Sequence, residues 1–102
     1  MPAVSRGDSV DTVTTNHDCV VTTTTSGMSG TVKVEGTGVH RKGDSTVAHG
    51  IGAPTCPNHS PSIKTGSTTV FANGMGVARV GDGYTDATDI VQTGSISVFA
   101  GG

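Results

Sequence analysis

With 102 residues and a net charge of −2, the chain is the size of one domain and lacks the basic surface that nucleic acid binding demands. It holds no run of about 20 apolar residues for a membrane helix, and its N-terminus has neither the basic nor the apolar region of a secretory signal. The core must be thin, since leucine and tryptophan are absent, Phe71, Phe99 and Tyr84 are the only aromatics, and hydrophobic residues make up 32% of the chain. Burial of side chains this small, at about 25 cal/mol per Å², barely offsets a backbone entropy cost of about 1–2 kcal/mol per residue. A metal, a disulfide or an obligatory partner is therefore expected to supply the remaining order.

Threonine and valine dominate and glycine interrupts most windows, which favours short strands joined by turns and leaves no convincing helix. In chain order, strands are expected at 20–25, 31–35, 38–42, 68–72, 76–80 and 96–100. Glu35-Gly36-Thr37 and Asn73-Gly74-Met75 read as hairpin turns, because Asn and Gly tolerate positive φ. Asp44 and Asp82 are expected to accept bonds from backbone amides in the turns that follow them. Residues 47–62 read as an insertion, carrying three of the four prolines and two of the four histidines.

These elements repeat. Ser29-Gly30-Thr31-Val32 followed by Gly36-Thr37-Gly38-Val39-His40-Arg41-Lys42-Gly43-Asp44 returns as Ser67-Thr68-Thr69-Val70 followed by Gly74-Met75-Gly76-Val77-Ala78-Arg79-Val80-Gly81-Asp82. Arg6-Gly7-Asp8 near the start matches the closing half of the unit, and the segment from Thr93 to Gly102 matches its opening half. Two whole units and two complementary halves predict about three units in a ring, with the two ends of the chain pairing to complete the third.

The unit resembles that of the PAAR-repeat family, the proteins that tip the central spike of type VI secretion systems and contractile phage tails. Gly66-Ser67-Thr68-Thr69-Val70-Phe71-Ala72-Asn73-Gly74 with Val77-Ala78-Arg79-Val80-Gly81-Asp82 is the closer match. The first unit departs at Lys33 and His40, and Arg6-Gly7-Asp8 is one residue short. The resemblance spans the chain and implies an all-β, cone-shaped domain over residues 1–102, built of three pseudo-threefold-related β-hairpin repeats with a metal site near the apex.

His49, Cys56 and His59 stand in His-x6-Cys-x2-His, and the Cys-Pro-Asn-His turn brings thiolate and imidazole within reach of one ion. His17 follows the first Gly-Asp much as His49 follows the second. His17, His49, Cys56 and His59 would close a tetrahedron around one structural Zn²⁺, and the resemblance implies the same set. Cys19, two residues from His17, is an alternative fourth ligand, and a Cys19–Cys56 disulfide would suit an oxidising compartment instead. His40, at the Ala78 position of a hairpin strand, is read as a solvated residue outside the metal set. A catalytic zinc would need an open position and a nearby base. Four ligands with no glutamate among them argue against an enzyme.

The expected function is the structural tip of a contractile injection machine, sharpening a trimeric β-helical spike for membrane puncture. A chain monomeric when free would bind one per spike trimer, presenting Val32, Val70 and Val98 at equivalent positions on its docking strands. With no signal peptide, it would assemble in the cytoplasm and travel with a virion tail spike or a type VI machine. The chain is expected to carry no extension domain. A Thr/Gly-rich adhesin or tail-fibre module is the rival reading, and a small zinc hydrolase the weaker one.

Overall fold

The computed structural model describes residues 1–15, 21–50, 58–86 and 88–102. Among them are nine strands and no helix: β1 (Thr12–Thr14), β2 (Thr22–Thr24), β3 (Lys33–Val34), β4 (Thr37–Gly38), β5 (His49–Gly50), β6 (Asn58–His59), β7 (Phe71–Ala72), β8 (Met75–Gly76) and β9 (Ile90–Val91). All the ladders between named strands are antiparallel: β2-β1-β9 form a three-stranded sheet, and β3-β4, β5-β6 and β7-β8 are hairpins.

The two repeat hairpins turn as the sequence predicts. Glu35 and Gly36 have φ of 53° and 84°, and Asn73 and Gly74 have 54° and 79°. Positive φ at both central residues is the I′ geometry that matches the twist of the flanking strands. The strands themselves are shorter than expected, because each segment changes partner every one or two residues. Val39 bridges Arg6, Arg41 bridges Val77, and Arg79 bridges Val4, so three units lock head to tail in a closed cycle. At its centre the amide of Ser5 donates to Ala78 O at 2.9 Å, Ala78 to His40 O at 2.8 Å, and His40 to Ser5 O at 3.0 Å. That triangle of backbone bonds is pseudo-threefold symmetry in physical form.

The ends of the chain complete the third unit. Ala3 bridges Phe99, Val4 N–H donates to Val98 O at 3.0 Å, and Ala100 N–H donates to Pro2 O at 3.1 Å. Ser29, Ser67 and Ser95, all buried, hold the start of each unit by one device. Their hydroxyls accept the amides of Val32, Val70 and Val98 at 2.8, 2.9 and 2.9 Å.

A second ring closes beyond the triangle. Bridges run Thr25–Thr46, Ser45–Ser62, Ile63–Tyr84 and Gly83–Ile90, and β9 then pairs β1 and β1 pairs β2. Six segments thus pair in a circle, which protects edges that short strands would otherwise expose. Two small cores fill the molecule: Val4, Val34, Val39, Ala72, Val77 and Ala100 in one, and Val13, Ile63, Ala78, Tyr84 and Val91 in the other. The whole is elongated, 40 × 23 × 23 Å.

Three Arg–Asp clasps tie the ring. Asp44 Oδ2 accepts from the Arg41 amide and its Nε, both at 2.9 Å, and Asp82 holds Arg79 in the same way at 2.8 and 3.1 Å. The carboxylates therefore bond the amide three residues before them, not the turn that follows. In the third unit the partner of Arg6 is Asp11, which takes its amide at 2.7 Å and its Nε at 2.9 Å. Asp8, the Gly-Asp residue of the sequence pattern, instead sits exposed at φ 53°. Two extra residues in this turn move the role from one aspartate to the next.

Candidate metal centre

Beyond the second ring, β5 and β6 pair His49 directly with His59. The residue just before β9 is Asp89, whose carbonyl accepts the Tyr84 amide at 3.0 Å. His49 and Asp89 are buried and His59 is half-buried. His49 Nε2 lies 2.9 Å from His59 Nε2 and 3.0 Å from Asp89 Oδ2, and His59 Nε2 is 4.0 Å from that oxygen. Each residue offers one ligand atom, and the three atoms all lie within 4.8 Å of one another.

The tautomer of His49 follows from its other nitrogen. Nδ1 stands 2.9 Å from Val47 O. A carbonyl only accepts, so Nδ1 carries the hydrogen and Nε2 presents a lone pair in the neutral ring. The Nε2 lone pair of that His49 tautomer and the Asp89 carboxylate oxygen thus face one another at 3.0 Å, an arrangement that a cation between them relieves. Ligand atoms held at about 2 Å by a tetrahedral ion stand about 3–3.5 Å apart. Two of the observed separations, 2.9 and 3.0 Å, stand near that value and the third, 4.0 Å, is longer, while the N/O donor set suits zinc. The bond from Nδ1 to Val47 O is the outer contact that orients such a ligand.

Asp86 stands beside the group, its Oδ2 3.6 Å from His59 Nε2. Burial pushes its carboxyl up, but bonds from the amides of Asp89 and Thr88 and from the Thr88 hydroxyl outweigh that and hold it at about 2.

Of the sequence-predicted ligands, the structure brings His49 and His59 together. His17 and Cys56, with Cys19 and the Cys19–Cys56 pairing, lie outside the described residues. Asp89 and Asp86 were missed. Their signal was available: Asp86-Ala87-Thr88-Asp89 follows the third Gly-Asp as His49 follows the second. A search for His and Cys alone passes over carboxylates in that register, and the absence of glutamate from the site does not leave it without acids.

His40 departs from its reading as a solvated residue. It is fully buried, with Nδ1 2.7 Å from Gly27 O and Nε2 2.7 Å from the Tyr84 hydroxyl. Desolvation lowers its pKa, and the bond to Gly27 only partly opposes this. Desolvation, aided by the charge of Asp89, likewise raises that of Tyr84. Val32, Val70 and Val98 are 39%, 42% and 38% exposed, three equivalent positions showing nearly equal surface.

No family model and no curated protein matches the chain. Among the described residues, no helix is long and apolar enough to cross a membrane.

Proposed function

We propose that the chain is a PAAR-type tip that caps a trimeric β-helical spike, one copy per trimer, and acts mechanically rather than as an enzyme. The observation that carries this reading is the closed cycle of Ser5, His40 and Ala78 with its three matching bridges, since one polypeptide then offers a threefold partner three similar faces. Val32, Val70 and Val98, with Phe71 and Phe99, are exposed apolar residues on those faces. Exposed strand edges of a trimer would pair with them by strand addition.

The metal reading completes the proposal. His49, His59 and Asp89 hold one structural zinc, with His17 and Cys56 as further candidate ligands, and the bound ion supplies cross-linking that the thin core lacks. In this reading docking falls to the hairpin strands and metal binding to β5, β6 and Asp89, so the two use different residues. Assembly in the cytoplasm and carriage by a tail or secretion machine follow from the same reading.

Native mass spectrometry of the chain with a candidate trimeric spike tests it. One chain per trimer and a monomer when free are expected. Self-trimerisation without any spike would favour the adhesin or tail-fibre module, and turnover in a hydrolase screen dependent on zinc would favour the enzyme.

A further inference from the structure

The three units are alike in backbone but differ in one cleft. In the first unit the Met28 side chain lies against Gly7 and Gly38, close enough that a Cβ on Gly7 would stand 2.5 Å from Met28 Cβ and one on Gly38 2.9 Å from its Sδ. By the same measure a Cβ on Gly94 in the third unit would stand 2.8 Å from Val4 O, and one on Gly66 in the second would stand 2.8 Å from Gly76 O, so both of those places are closed by backbone. In the second unit the residue equivalent to Met28 is Gly66, and Gly76 stands where Gly38 does. Beside that close pair lies a cleft of about 690 Å³, within the range of ligand sites.

Its walls are chemically uneven. Phe71 and Met75, both exposed, give an apolar side. Lys42 and Lys64 give a cationic side, and the equivalent positions elsewhere are Gly7 and Val80 for the first and Ser26 and Gln92 for the second. Arg79 also lines the cleft, but Asp82 answers its charge at 3.1 Å and Gly101 O takes its Nη1 at 3.0 Å. Neither lysine reaches a carboxylate within ion-pair distance among the described residues. On a chain of net charge −2, two such lysines beside an unfilled apolar cleft form a localised anion-attracting surface.

We infer that this cleft binds an acidic peptide segment of another protein, laying an unbranched apolar side chain against Phe71 and Met75 with flanking carboxylates on Lys42 and Lys64. The occupant's apolar part is read from those two exposed side chains. Its charge is read from the two lysines, which occur together only here. The inference does not depend on the spike reading and concerns the free chain.

Fluorescence anisotropy with labelled, capped Gly-Glu-Met-Glu-Gly tests it, with the Glu-Gly-Glu and Lys-Met-Lys analogues as controls. The first peptide is expected to bind at least tenfold more tightly than either control. The double variant Lys42→Glu/Lys64→Glu, at two exposed positions, should reverse the order so that the Lys-Met-Lys peptide binds best. Equal binding of all three peptides, no binding by any, or an unchanged order in the charge-reversed variant overturns the inference. Displacement of the peptide by inorganic phosphate at equal concentration overturns it too, by showing a plain anion site.

Discussion

His40 Nε2 lies 2.7 Å from the hydroxyl of Tyr84, and both side chains are sealed from solvent where the two cores meet. Since Nδ1 donates to Gly27 O, Nε2 accepts from Tyr84, and the ring is held neutral with both nitrogens satisfied. His40 thereby joins the triangle of the three units to the ring beside the candidate metal site.

This contact sets a pH dependence. The folded pKa of His40 lies below its ordinary value near 6.5, so below about pH 6.5 the unfolded chain binds a proton that the native state refuses. The stability contributed by His40 is complete above that pH and declines as the pH falls toward the folded pKa. His40→Ala, which copies Ala78, removes this term and leaves a cavity. The stability gap between wild type and variant, measured by urea unfolding, should be widest above pH 7 and narrow toward pH 5. A gap that widens on acidification contradicts the assignment.

The clasp of the third unit distinguishes two neighbouring aspartates. Asp11→Asn should cost about 2–3 kcal/mol, because it leaves the buried end of Arg6 without its charged acceptor. Asp8→Asn should change stability by less than about 0.5 kcal/mol, as expected of an exposed position. Denaturant midpoints for the two variants read the difference directly.

Ser5 supplies a stabilising substitution. Its hydroxyl is buried and has no partner among the described residues, while its equivalent in the second unit is Ala78. Ser5→Ala should raise stability by about 1 kcal/mol by removing an unsatisfied polar atom. A loss of stability would show that the hydroxyl is bonded in solution.

The metal site predicts one zinc per chain and a melting temperature that falls on chelation. His49→Ala and Asp89→Ala should each lower zinc content and stability sharply, since structural zinc contributes on the order of 10 kcal/mol of apparent folding energy. Cys56→Ser should do the same. Cys19→Ser should cost little if His17 is the fourth ligand, and as much as Cys56→Ser if Cys19 is. Unchanged melting with and without chelator contradicts the metal reading, as does full zinc content in Asp89→Ala for that residue.

The proposed docking face is tested one valine at a time. Val32→Asp, Val70→Asp and Val98→Asp should each weaken spike binding by several kcal/mol through a buried, unpaired charge. Zinc content, measured alongside, should persist. Unchanged affinity for all three variants would remove these strands from the interface.

The repeat was legible in the sequence because its parts act locally. Turn geometry at Glu35-Gly36 and Asn73-Gly74 depends on which residues accept positive φ, and the serine caps at Ser29, Ser67 and Ser95 reach amides only three residues on. Matching positions such as Val39 and Val77 made the ring and its closure by the two chain ends readable as well. What the sequence could not determine were relations across units. Asp11 replaces Asp8 because a two-residue bulge redirects the chain, and nothing local ranks the two carboxylates. His40 is buried because its strand faces the axis and Tyr84 arrives from 44 residues away. Asp89 joins His49 and His59 because the second ring brings the segment after Asp82 beside β5 and β6. Backbone propensities and turns are decided by neighbours in the chain, but which side chains meet on an axis of three units is decided only when the ring closes.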